Sequence, residues 1–143
     1  MNNIISRISS ITNSVGRRKK AIAVVKVYSK KVGSNTNNKI IINNKLIEDY
    51  FKLERFKNIV LKPICLCHEF IKEYDFNIRV SGGGISGQAS ASSLGIARAI
   101  LKINKLSKQV LRKEGMLTRD PRMVERKKPG KPKARKRFQF SKR

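Results

Sequence analysis

Acidic residues are scarce in this chain: nine Asp and Glu stand against 34 Lys and Arg, a net charge of +25 over 143 residues. A free protein so charged repels itself, so its usual surroundings must supply negative charge, and nucleic acid is the expected source. Tryptophan is absent, His68 is the single histidine, and Cys65 and Cys67 are the two cysteines. Two thiols one residue apart make no disulfide framework and suit a reducing compartment. With His68 they offer three zinc ligands, whereas a structural zinc site wants four in two separated pairs. Free thiols and a partly buried His68 are therefore expected. Placed on a strand, Cys67 and His68 would face opposite ways and could not form a nucleophile and base.

Long apolar runs are missing too. No window nears the roughly 18 residues of a membrane-spanning helix, and no secretory signal opens the chain, so a soluble intracellular protein is expected. Docking to an anionic membrane would need an amphipathic basic helix, and Pro129 and Pro132 interrupt the basic tail where it would run. The few carboxylates form no isolated acid/base pair, and several sit beside Lys or Arg as charge partners. No enzyme, no cofactor, no metal and no small-molecule substrate are expected.

What the chain does have is a basic tail. From Arg119 to Arg143 there are twelve Lys or Arg against Asp120 and Glu125. Burying Met123, Val124, Phe138 and Phe140 would not offset the ordering entropy and self-repulsion of such a segment, so its shape must come from a polyanion. Basic runs at both ends, with Phe138 and Phe140 in the tail, suit phosphate contacts plus stacking. Charge alone does not choose RNA over DNA, and a nucleoid-type DNA-binding protein is the alternative.

Taken in order, Met1 to Val15 reads as a short amphipathic helix or frayed extension, with Ile4, Ile5, Ile8, Ile11 and Val15 at helical spacing. A targeting peptide is disfavoured there because Arg7 is its one cation. Arg17-Arg18-Lys19-Lys20 leads into Ala21 to Tyr28, a β-branched strand expected to form an antiparallel hairpin with Lys39 to Ile42 across a turn at Gly33 to Asn38. Asn43-Asn44 ends that strand with residues that accept left-handed geometry. Leu46 to Phe51 and Leu53 to Leu61 read as short helices, the second closed by Pro63. Phe76 to Val80 alternates as a strand. A long helix follows the glycines, with Ile85, Ala89, Ile96, Ile100 and Ile103 on one stripe and Arg98 and Lys102 on its polar side. Ser107 to Glu114 reads as a last helix, Ser107 its N-cap and Gly115 its C-cap.

Gly82-Gly83-Gly84-Ile85-Ser86-Gly87 literally satisfies the dinucleotide pattern G-x-G-x-x-G. A dinucleotide site also needs a following parallel strand and an acid about twenty residues on, and neither is present after Lys102. The glycines suit either a tight strand-to-helix turn or a phosphate of a polynucleotide. A bulky β-branched residue at Gly84 is expected to impair folding or docking.

These residues resemble the S-nine family of small-subunit ribosomal proteins, in order from Gly16 to Arg143. The carriers are Gly16 to Ala21, Ile42-Asn43 through Tyr50-Phe51, Gly82 to Ala89, Gly95 to Ala99, Leu117 to Arg122, Val124 to Gly130 and Gln139 to Arg143. The resemblance implies an α+β fold: a mostly antiparallel four-stranded sheet backed by helices, like the second domain of ribosomal protein S-five, with a left-handed βαβ crossover and a long extended basic C-terminal tail. It implies an N-terminal extension (1–15), a globular rRNA-binding domain (16–116) and a tail (117–143) threading into rRNA toward the P site. The implied partners are the 3′ major domain of the small-subunit rRNA in the subunit head, neighbouring head proteins and the anticodon stem-loop of P-site tRNA. The expected rRNA-binding residues are Arg17, Arg18, Lys19, Lys20, Gly83, Gly84, Gln88, Arg98, Arg119, Arg122, Arg126, Lys127, Lys128, Lys131, Lys133, Arg135, Lys136 and Arg137. Those expected at tRNA are Ser141, Lys142 and Arg143. The chain departs from the family at Asn44, where Gly is common, and at Val24, Ser93 and Phe138. Its preference for Ile, Asn and Lys fits AT-rich coding sequence and points to a plastid-type organelle, with a bacterial cytoplasm or mitochondrion as alternatives.

Overall fold

A computed structural model describes residues 11–30 and 39–141. Five strands, β1 (Thr12–Arg18), β2 (Ala21–Ser29), β3 (Ile40–Ile42), β4 (Lys45–Leu46) and β5 (Tyr74–Ser81), form one sheet in the order β1-β2-β5-β3-β4. Helices α1 (Ile47–Tyr50), α2 (Glu54–Leu66) and α3 (His68–Ile71) connect β4 to β5. Then come α4 (Ile85–Ile103), a 3-10 turn (Lys105–Ser107) and α5 (Lys108–Lys113). From 117 to 141 there is no helix or strand.

The sheet departs from a mostly antiparallel four-stranded one: it has five strands, and β3 runs parallel to β5 with Ile42 beside Ile78. The expected hairpin between β2 and β3 does not form. β2 instead pairs antiparallel on one side with β1, Val15 opposite Val24, and on the other with β5, Val25 opposite Ile78. The physical reason lies in β1, which covers residues expected to be helical or frayed. Its core-facing positions are Ser14 and Gly16, so it has no apolar alternation to reveal it, yet it takes the edge beside β2 and leaves β3 to dock beyond β5. Of the helix or frayed extension expected over Met1 to Val15, the part from Met1 to Ser10 lies outside the described residues, as does the turn at Gly33 to Asn38.

β2 and β5 alternate as half-buried strands must. Ala21, Ala23, Val25 and Val27, with Phe76, Ile78 and Val80, face the core. β3 and β4 join through Asn43 and Asn44 at φ 48° and 66°, the paired left-handed residues of a two-residue hairpin turn. Asn44 thus takes a conformation for which Gly is the usual choice. The Asn43 amide also extends the ladder, donating to the Val80 carbonyl (3.0 Å) and accepting from the Val80 N–H (2.9 Å).

α4 lies across the sheet, and α2 packs on its other side. Ala91 to Ala97 are consequently buried all round, and small side chains are what let a helix approach so closely on both sides. Ile85, expected on the core stripe, is exposed because α4 begins beyond the edge of the core. Pro63 does not close α2 but lies within it, its ring buried. The hydrogen bond it forgoes is to the carbonyl of Ile59, on an exposed turn. Ser107 makes no side-chain cap; Asn104 accepts from the Leu106 N–H instead (2.9 Å). Gly115, at φ 67°, ends α5 as expected, with its N–H on Arg112 and that of Met116 on Leu111, a Schellman closure.

Cys65 and Cys67 are free thiols at the end of α2 rather than on a strand, Cys65 exposed and Cys67 buried. Burial pushes the Cys67 thiol up, the neighbouring Ser107 hydroxyl pulling partly back. His68, at the start of α3, is exposed rather than partly buried. Among the described residues no helix is long and apolar enough to cross a membrane.

Candidate nucleic-acid interface

One end of the sheet gathers most of the expected binding residues of the globular part. β1 and β2 are joined by Lys19 and Lys20, with Arg18 opposite Ala21 and Lys19 in the left-handed region at φ 51°. Against this turn sits the glycine loop from β5 to α4. Gly82 and Gly83 have φ of 69° and 64°, where a β-carbon is disfavoured. A Cβ on Gly82 would meet the Lys20 carbonyl oxygen at 2.6 Å, and one on Gly83 the Ala21 nitrogen at 2.9 Å. The basic turn and the glycine loop are therefore held together backbone to backbone. Arg17, Lys19 and Lys20 project into solvent there.

Gly84 differs. Its φ is −105° and a Cβ there meets nothing within 4 Å, so the expected folding defect of a bulky residue is corrected: Gly82 and Gly83 carry the backbone requirement. Gly84→Val should shift stability by less than about 1 kcal/mol, the scale of an N-cap change. Urea unfolding of the variant against Gly83→Val checks this, and the latter should lose considerably more.

The tail is fastened to the same end. Arg18 forms an ion pair with Asp120 (Nη2 to Oδ2, 2.7 Å), and its Nη1 donates to the carbonyls of Asp120 (3.2 Å) and Arg122 (3.0 Å). Asp120 also accepts from the Arg122 backbone N–H (2.9 Å) and, through both oxygens, from the Arg122 guanidinium at 2.8–3.1 Å. These bonds from Arg122, with the charge of Arg18 behind them, hold the Asp120 carboxyl well below the usual carboxylate range. It stays ionised at any physiological pH, as a ligand for two guanidinium groups. Farther on, Glu125 receives Arg135 in a bidentate pair (2.6 and 2.9 Å), which lowers its carboxyl. The turn inside that pair contains Gly130 at φ 69°, with the Lys131 N–H 3.4 Å from the Lys128 carbonyl. Arg126, Lys127 and Lys128 are exposed around it, Lys131 is half-buried, and Lys133 is exposed. Arg119, Lys136, Arg137 and Ser141 are exposed as well; Lys142 and Arg143 lie outside the described residues.

Three expected contact residues also make internal ties. Arg18 anchors the tail. Gln88 accepts from the Tyr50 hydroxyl (2.8 Å) and donates to the Gly82 carbonyl (3.2 Å), bracing the glycine loop against α1. Arg98 does not join the basic cluster: 14 residues along α4 from the glycine loop, or roughly 20 Å at helical rise, it donates to the Val15 carbonyl (2.8 Å), as Lys102 does to that of Asn13. Two α4 cations thus occupy free carbonyls of edge strand β1, a position that otherwise invites another strand.

Sequence reasoning missed Ser14, Tyr50 and the fastening roles of Asp120 and Arg18. Ser14 is buried and donates to the Gly95 carbonyl at 2.6 Å. The available signals were Asp120-Pro121, an acid two residues before Arg122 in a segment otherwise cationic, and Gly16 and Gly95, each small for a close crossing.

The comparisons extend over the whole of this architecture. The family described as ribosomal protein S9/S16 matches residues 16–143, the domain and tail together. The chain is 52% identical over 131 residues to small ribosomal subunit protein uS9 of Porphyromonas gingivalis, covering 92% of this chain and 97% of that one. It is 50% identical over 133 residues to the uS9 of Parabacteroides distasonis (93% and 98%) and 46% identical over 136 residues to that of Chlorobium limicola (95% and 100%). With a basic turn, a braced glycine loop and a fastened cationic tail all inside the matched span, this chain belongs to the ribosomal protein S9/S16 family.

Proposed function

We infer that the chain is a structural constituent of the small ribosomal subunit, acting in translation without catalysis of its own. The observation that carries this is the single family match running through both the globular part and the tail. The relatives are bacterial, which fits the bacterial-cytoplasm alternative; they lend nothing to the plastid expectation, since AT-rich composition is shared by organelles and reduced bacterial genomes.

At finer grain, the protein binds the 3′ major domain of the rRNA in the subunit head, beside neighbouring head proteins. Arg17, Lys19 and Lys20 reach phosphate from the basic turn. Gly83 and Gly84 bring backbone amides near the start of α4 up to the RNA. The tail (117–143), set on its course at Arg122, lies along rRNA from Arg119 to Arg137, and Ser141, Lys142 and Arg143 meet the anticodon stem-loop of P-site tRNA. Roughly ten phosphates neutralised by the tail alone contribute about −7 to −9 to the log-log salt slope.

Competition between a structured rRNA head fragment and duplex DNA at matched salt separates this from a nucleoid-type role. The full chain should prefer the rRNA, and equal affinity would sink the ribosomal reading. Removing Ser141 to Arg143 should leave subunit assembly nearly intact yet weaken P-site tRNA retention by about 1–3 kcal/mol, the scale of charged hydrogen bonds. Unchanged tRNA dissociation from reconstituted truncated subunits would count against it.

A further inference from the structure

The sheet has a second face. α4 and α2 cover one side, while the alternate residues of β2 and β5 point away from them and line an open concavity of about 890 Å³. Val24, Lys26 and Tyr28 come from β2, Asn77 and Arg79 from β5. In the register Val24 faces Arg79, Lys26 faces Asn77 and Tyr28 faces Asp75. Arg79, Lys26 and Tyr28 therefore run diagonally across two adjacent strands: two cations, then a ring. Lys26 and Arg79 are exposed. Among the described residues neither has an ion-pair or hydrogen-bond partner. Asp75, the carboxylate opposite Tyr28, accepts from the Lys39 N–H at 2.8 Å.

We propose that this open face is a second RNA-binding surface, taking an unpaired rRNA segment with phosphates on Lys26 and Arg79 and a base stacked on Tyr28. Charge complementarity selects the occupant. A packed protein surface would have to bury two uncompensated cations, whereas a single-stranded RNA brings phosphates for the cations and a flat apolar surface for the ring. Sheet faces that combine an aromatic ring with basic side chains are suited to splayed bases for that reason. The Asn77 amide, beside Lys26, is placed to hydrogen-bond a base edge. The tail leaves from the other side, since Arg18 shares the inward parity of Ser14 and Gly16 and holds Asp120 there. RNA would then grip the domain through both layers. This rests on the rRNA-binding reading above.

The test uses the full chain and a transcript of the rRNA head region. Lys26→Gln combined with Arg79→Gln should make the salt slope shallower by about 1.4–1.8, the share of two phosphates, and Tyr28→Leu should weaken binding about tenfold, with unfolding midpoints unchanged. An unchanged slope and affinity in variants that melt like wild type would overturn the proposal. A photo-crosslinking residue in place of Tyr28, in assembled subunits, should attach to rRNA; attachment only to a neighbouring protein would overturn it as well. If the wild-type chain itself shows no preference for the rRNA over duplex DNA, the ribosomal reading falls and this one with it. Preference by the wild type with indifferent variants removes the open face alone.

Discussion

Gly16→Val should leave the chain largely unfolded under conditions where the wild type is native. Gly16 is where β1 crosses α4 most closely: a Cβ there would lie 1.9 Å from the Ala91 carbonyl oxygen and 2.5 Å from the Gly95 nitrogen. Both are backbone atoms, so no rotamer change relieves the clash, and strand and helix must separate. Separation would strip the Ser14 to Gly95 hydrogen bond and pull Arg98 from the edge carbonyl of Val15. Overpacking ordinarily costs about 1–3 kcal/mol when side chains can shift; with backbone on both sides the loss should exceed about 3 kcal/mol. Urea unfolding of the full-length variant measures it. A loss under about 1 kcal/mol would mean that β1 is not seated on α4 as described.

Removing residues 119–143 should have the largest effect on RNA binding and a small one on folding. The cut spares Met116 and Leu117, which pack against the core, and takes away the twelve cations of the tail with Asp120 and Glu125. The truncated domain should unfold near the wild-type midpoint and bind an rRNA head fragment with a log-log salt slope shallower by roughly 7–9. Filter binding over a salt series with both chains provides the comparison. A slope within one unit of wild type would place the phosphate contacts on the globular part and remove the tail as the main source of affinity.

How much of this was visible in the residues depended on whether an element announces itself by apolar periodicity. β2 and β5 alternate strongly, and α4, with its glycine entry, was legible in extent. β1 was not, because its inward residues are Ser14 and Gly16 and its stability comes from close backbone approach and pairing with β2. Missing it led to the wrong partner for β3 and hid the parallel pair. The basic and polar residues were legible as a population, while their separate roles were not. Arg18, Gln88 and Arg98 have the composition of contact residues, and only their partners, Asp120, Tyr50 with Gly82, and Val15, show that they also act as ties. Gly84 was misjudged for a related reason, since adjacent glycines look alike in sequence while the φ values separate Gly82 and Gly83 from it.

The pairing of Glu125 with Arg135 bears on how far the chain can extend. The nine residues between them are gathered into a loop, and fully drawn out the stretch from Glu125 to Arg135 would span up to roughly 35 Å. Both partners lie in solvent, where such a pair adds little stability and is readily screened. A phosphate offered to Arg135 competes on equal terms with Glu125, so the stored length can be released as the RNA is engaged. The arm thereby has adjustable slack between its fixed point at Arg122 and its far end, and it can meet a target whose distance varies without moving the domain that carries it.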